Sequence, residues 1–292
     1  MRLALAFLTL FLAGAATAQA SPAVIHGADP ESYSLDLSYL SHGNGVLKGS
    51  ERIHFVNRGP APLTSVWLRL WANGPDRCQP RRIAVRIEAP AKAGTESVRC
   101  SALEVRLPAP VPPGATGSLS LTFNVDVRKA DDRFGHAGKI VLLGNVIPVL
   151  AVEDDRGLHL ERYSPNGESF YSLAARWDAQ LRCPARLRAA STGAVLSERV
   201  RNGRRIRHVG TSQARDFGLA IGPLHVSTTT PTASGSAPSP ERVRATYAPT
   251  CTPPAGPSTR CRAAWRPTAG GSWTSCCSAT ASAASAEWST PS

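Results

Sequence analysis

Between Tyr33 and about Val226, apolar and polar residues alternate, and no stretch of a dozen residues there keeps the spacing of a helix. Side chains two positions apart lie on the same side of an extended chain, so the pattern buries one face and wets the other. "YSLDLSYL" sets Tyr33, Leu35, Leu37 and Tyr39 on one face, and "ERIHFVN" sets Ile53 and Phe55 on another. "SVWLRLW" aligns Val66, Leu68 and Leu70, and "LEVRLP" aligns Leu103, Val105 and Leu107. "SLSLTFNVDV" does the same for Leu119, Leu121, Phe123, Val125 and Val127. Turn signals such as "NRGP" and "PVPPGATG" return about every eight to fifteen residues. The pattern predicts an all-β domain of antiparallel strands, sandwich-like in build.

The flanks read differently. Arg2 is followed by the apolar run "LALAFLTLFLAGAA" and then by Ala18-Gln19-Ala20, a small-x-small cleavage signal. A charged start, an apolar run too short to span a bilayer and polar flanks predict a secretory signal peptide over 1–20 and an exported, extracellular protein. No other stretch approaches spanning length, so no transmembrane segment is expected. The β domain is placed at 21–249. Within it "STTTPTASGSAPSP" (227–240) cannot bury apolar surface and is either an interdomain linker or a long hairpin loop. The strand-like "ERVRATY" after it favours the loop. Beyond Tyr247 the alternation stops, and 250–292 is expected to be a disordered tail.

The net charge of +12 invites a nucleic-acid reading, which composition opposes. Only four of the 33 basic residues are lysines, a usage typical of GC-rich coding DNA. The densest runs, "RCQPRRIAVR" and "RVRNGRRIRHVG", alternate with apolar residues or surround a turn. No aromatic residues interleave with them for base stacking, and no nucleic-acid partner is expected. Of seven cysteines, Cys78 and Cys100 form the natural disulfide pair, closing one short loop of the β region. Cys183 stands alone, and Cys251, Cys261, Cys276 and Cys277 lie beyond the alternating region. No C-x-x-C spacing occurs and no histidine stands near them at zinc-ligand distance, so no structural metal is expected.

The order of short motifs carries a resemblance. "GSERIHFVNRGPAPLTSVWLRLWANG", "LPAPVPPGATGSLSLTFNV", "DRFGHAGKIVLLGNVIPVLAVEDDRGLHLERYSPNGESFYS", "ARWDAQLRCPARLRAASTG" and "ARDFGLAIG" follow one another from Tyr33 to Tyr247. The series resembles the N-terminal domain of the aminopeptidase N family of zinc metallopeptidases, in its secreted bacterial branch. The resemblance implies a saddle-like β domain packed against a thermolysin-like catalytic domain, with peptides as substrates. In that family zinc is held by H-E-x-x-H on a helix, where two histidines share one face and the glutamate polarises the zinc-bound water. Here the histidines are His26, His42, His54, His136, His159, His208 and His225, and none is followed by Glu. This chain therefore carries no zinc site of the family type and no catalytic residues. Zinc is implied only for an intact parent, whose catalytic domain is missing.

The final residues bear on what is missing. In the family a strand of the type "LDVV" and then a Gly-Gly/Ala-Met-Glu motif should follow the β domain. Tryptophan has one codon, so reading one nucleotide earlier forces Asp across Trp273-Thr274. Around it "SWTSCC" accommodates "ELDVVL". In the same frame "SAEWSTP" accommodates "GGVEYP" or "GGMEYP", with Glu across Trp288-Ser289 for one class of serine codon. These substitutions predict a frameshift between about Ala245 and Cys251, leaving an out-of-frame tail over 250–292 and a fragment inactive as given.

Among single residues, Glu168 in "SPNGESFYS" is the candidate at the substrate-binding edge that the resemblance implies. Glu153 and Glu161 are nearby carboxylates without an assigned role. The Gln-x-Glu-like stretch that anchors a substrate amine in typical relatives has no counterpart here, which leaves aminopeptidase specificity open. Arg215-Asp216-Phe217 reads as structural, with Phe217 in the core and the charged pair tying strand to loop. An alternative from another class is a free-standing secreted β-sandwich that binds a glycan or a protein surface without chemistry. It requires an exposed aromatic platform, for which Trp67 and Trp71 stand at strand spacing.

Overall fold

The computed structural model describes residues 23–75, 78, 80–129, 133–164 and 169–224, and the backbone of 225–229, 242–246, 263–267 and 273–277. The predicted signal peptide and Glu168 lie outside the described residues, as do most of the Ser/Thr/Pro tract and of 250–292.

The described chain is all-β, with one 3-10 turn at Trp71–Asn73. In chain order the strands are β1 (Ala28–Leu40), β2 (Val46–Asn57), β3 (Leu63–Arg69), β4 (Ile83–Ile87), β5 (Lys92–Ser97), β6 (Ala102–Val111) and β7 (Thr116–Asp126). Short strands follow: β8 (Phe134–Ala137), β9 (Ile140–Leu143), β10 (Val149–Leu150), β11 (Glu153–Asp154) and β12 (Gly157–Leu158). The chain then returns to long strands in β13 (Ala175–Pro184), β14 (Arg188–Ser191), β15 (Ala194–Arg201), β16 (Arg204–Ala214) and β17 (Leu219–Gly222). Last come β18 (His225–Thr229), β19 (Arg242–Thr246), β20 (Ala263–Pro267) and β21 (Trp273–Cys277).

A seven-stranded sheet in the order β15-β16-β13-β1-β2-β7-β4 forms one layer. Two four-stranded sheets, β10-β3-β6-β5 and β14-β17-β9-β8, share a single apolar core with it. Hairpins β11–β12, β18–β19 and β20–β21 pair on their own. In the second of these, β18 includes the first three residues of the Ser/Thr/Pro tract and pairs with β19 across the rest. Among the described residues all ladders are antiparallel except one: β13 lies parallel to β1, with Ser32 opposite Arg176 and Ser38 opposite Arg182. Local alternation cannot announce that junction, because each strand shows the same period whichever way its neighbour runs.

The alternating residues form the core. Tyr33, Leu35, Leu37 and Tyr39 are buried, as are Ile53, Phe55, Leu119, Leu121, Phe123 and Val125 on neighbouring strands. Tyr33 stacks on Trp177 at 4.1 Å, and Phe217 tilts against the same indole. Two glycines make room for rings: Phe123 lies where a side chain at Gly49 would stand, and Phe55 where one at Gly117 would. Each is a cross-strand pair of β2 and β7, so ring and glycine fill one another's space. The inner face also carries an acid. Glu51 sits between Leu35 and Leu121, is 3% exposed and has no hydrogen-bond partner on either oxygen among the described residues. Burial holds its pKa well above the usual carboxylate range, which favours the protonated form.

Candidate functional site

The stretch 151–171 folds around one buried carboxylate. Asp154, at the end of β11, starts a tight turn by accepting the Arg156 backbone N–H at Oδ1 (2.9 Å). Its Oδ2 accepts from the Arg156 guanidinium (3.1 Å) and from the Tyr171 hydroxyl (3.1 Å), and Oδ1 also meets His159 Nε2 at 2.8 Å. These donors, Arg156 first and His159 next, hold Asp154 far below the usual carboxylate range. The other His159 nitrogen, Nδ1, meets Glu161 Oε1 at 2.6 Å. Beneath them Arg69 of β3, fully buried, donates to the carbonyls of His159 (3.3 Å) and Glu161 (2.7 Å). Desolvation lowers its guanidinium to about 10, still cationic at neutral pH.

A second clip joins the N-terminal segment to the same hairpin. Ile25 bridges Asp154, and His26 N–H donates to the Glu153 carbonyl (2.9 Å). The Val24 N–H and the His26 ring both bond Asp155.

This network positions residues and holds no reactive group. Both His159 nitrogens face carboxylate oxygens, so neither offers a lone pair to take a proton, attack a carbonyl or bind a metal. Among the described residues no three His, Cys, Asp or Glu side chains converge where an ion could sit. The residues present here do not fit the zinc implied by the resemblance, and no chemical step is derived through it.

Of the two carboxylates without an assigned role, the structure separates them by partner. Glu161 is bonded to His159. Glu153 makes no side-chain hydrogen bond or ion pair among the described residues. Its carboxylate lies over Gly27, and the residue lines a cleft of about 240 Å³ with Ala28, Leu63, Ser65, Trp67 and Ala151. One wall of that cleft is a strand edge. β10 pairs only with Leu68 and Arg69, and Ala151 N–H donates to the Trp67 carbonyl at 2.7 Å. Toward its start β3 has no strand on this side among the described residues. An open edge beside a free carboxylate can hold an extended, cationic chain.

The remaining sequence candidates fall elsewhere. Cys78 and Cys100 are joined in a disulfide with Cα atoms 5.4 Å apart, beside Asn73, whose amide bonds the carbonyls of Ile83 and Cys100. Cys183 is a free buried thiol whose pKa is pushed up by burial. Phe217 is in the core, and Asp216 ties to the loop by accepting the Asn145 N–H at 2.7 Å. Arg215 makes its tie through its carbonyl, which accepts from Ser172 Oγ, and its guanidinium makes no ion pair among the described residues. Trp71 is buried under the Arg69 guanidinium at 3.8 Å, so Trp67 and Trp71 form no exposed platform. Sequence reasoning missed Asp154, His159, Tyr171 and Glu51. The signal for Glu51 was present, since it shares strand parity with Ile53 and Phe55.

No protein-family model and no curated protein matches the chain. Among solved structures it is similar to an M1 zinc metallopeptidase from Deinococcus radiodurans, with TM-score 0.46 and 21% identity. It is also similar to a mutant of that enzyme bound to a Tyr-Ser-Ala substrate, with TM-score 0.45 and 22% identity. Each match covers 70% of this chain and 44% of the other, so the chain spans less than half the length of those structures.

Proposed function

We propose that this chain is the N-terminal β domain of an exported zinc metallopeptidase of the aminopeptidase N type. The intact parent hydrolyses peptide bonds with a zinc-activated water, on a catalytic domain that a frameshift near 245–251 has removed. The observation that carries this reading is the order of sequence motifs from Tyr33 to Tyr247, each weak by itself and specific as a series. The cleft adds a role for one residue. Glu153 is the carboxylate free to meet a peptide's terminal amine, whereas Glu161 is committed to His159. As it stands the fragment has no hydrolytic activity of its own.

The test is to sequence the gene from the codons for the Ser/Thr/Pro tract to well past the stop. A neighbouring frame that runs through Gly-Gly-x-Glu and H-E-x-x-H is expected, and the frame-restored protein should cleave peptides in a zinc-dependent way. A closed frame with no zinc motif would sink the enzyme reading.

A further inference from the structure

We infer that His159 is a doubly bonded imidazolium that latches residues 160–163 to the β11–β12 hairpin, and that loss of its ring proton releases the Glu161 side chain and loosens this segment while the sandwich stays folded. Nε2 lies 2.8 Å from Asp154 Oδ1 and Nδ1 lies 2.6 Å from Glu161 Oε1. Carboxylates only accept, so each contact needs an N–H, and a neutral ring has one. With the second proton gone, a lone pair would face a carboxylate oxygen at hydrogen-bond distance, and the two acids would be left bridged by a neutral group.

The groups around the ring decide which side lets go. From β11, Asp154 keeps the Arg156 side chain, the Arg156 N–H and the Tyr171 hydroxyl when His159 is neutral. Tyr171 also sets its ring edge-on to the imidazole at 4.9 Å. From β3, Arg69 grips backbone carbonyls and not the ring. Glu161 has an exposed side chain, and His159 is its one side-chain partner among the described residues. The latch therefore opens on the Glu161 side. The surroundings act in the same direction: partial burial opposes the charge, but the bonds to Asp154 and Glu161 outweigh it and raise the pKa of His159.

Release would be felt beside the cleft. Leu158 lines it, and Tyr163 packs over Gly74 and near the Phe134 and Phe170 rings. Without the ring proton the segment keeps the Arg69 bonds to its carbonyls and the ring contacts of Tyr163, so it loosens at the Glu161 side chain without detaching.

The experiment uses the full chain labelled with ¹⁵N. Ring-nitrogen shifts should show both His159 nitrogens still protonated above the pH at which an ordinary histidine has lost its second proton. As the ring titrates, exchange of the 160–163 amides, corrected for its intrinsic pH dependence, should rise about tenfold, with β1 and β2 unchanged. Glu161→Gln, at an exposed side chain, should fold and should move both the titration and the exchange rise to lower pH. A single protonated ring nitrogen at neutral pH would overturn the latch. So would exchange indifferent to the titration, or a Glu161→Gln variant that titrates where the parent does.

Discussion

Glu51 and Asp154 are both buried acids, and their surroundings could hardly differ more. On the inner face of the main sheet Glu51 has leucines on both sides and bare oxygens. At the β11 turn Asp154 is bonded by a guanidinium, an imidazole, a hydroxyl and a backbone N–H. Burial favours the neutral form of the first acid, and the donors favour the ionised form of the second. Burial alone therefore says nothing about charge; the count of donors within reach decides it. Asp216 lies between the two, with Oδ2 bonded to Asn145 and Oδ1 bare, and burial raises its pKa to about 6.

The comparison breaks most visibly at its saturated end. Asp154→Ala would strand Arg156, His159 and Tyr171 together and should lower the melting midpoint by roughly 10 °C. A loss no larger than that of a surface substitution would mean the network is decorative. Because Asp154 is depressed, the stability it confers is present above the ordinary aspartate value and fades as pH falls.

Asp216 predicts the opposite slope. Its folded pKa is raised, so its contribution is full below about pH 4 and is lost as pH rises through about 6, a span of about 3 kcal/mol. Denaturant titrations of Asp216→Asn should flatten that decline. An unchanged slope would place the titration elsewhere.

At the bare end, Glu51→Met should stabilise the protein by about 1–3 kcal/mol, because an unsatisfied polar group is replaced by apolar volume. The gain should grow as pH rises above the ordinary glutamate value, where unfolding releases the proton that Glu51 keeps in the folded chain, and level off once the folded acid ionises. Destabilisation would reveal a partner for Glu51. The smallest effect belongs to the clip: His26→Ala removes a half-exposed bond to Asp155 and should shift the midpoint by roughly 1 °C or less.

These regions differed equally in how well the sequence announced them. Parity along β1, β2, β3 and β7 named the buried face nearly residue by residue, because a strand's two sides are set locally. The same rule placed Glu51 inside, and only the habit of reading acids as solvated hid it. The Asp154 network was less legible. "EDDRGLHLERYS" shows charge without period, and its bonds depend on a turn and on Arg69 arriving from a distant strand. Among the acids of that stretch, partner geometry and not sequence separated Glu153 from Glu161.

The parallel junction of β1 and β13 has a consequence for the order in which the molecule assembles. β1 and β2 pair early through a short turn, but the other edge of β1 waits for a strand that follows twelve others in the chain. Contacts so far apart in sequence close late, and they slow folding. During synthesis the nascent chain therefore carries an open, apolar-faced strand until Ala175–Pro184 emerges. That interval is when the protein is most exposed to mispairing, and when a holding chaperone would matter most.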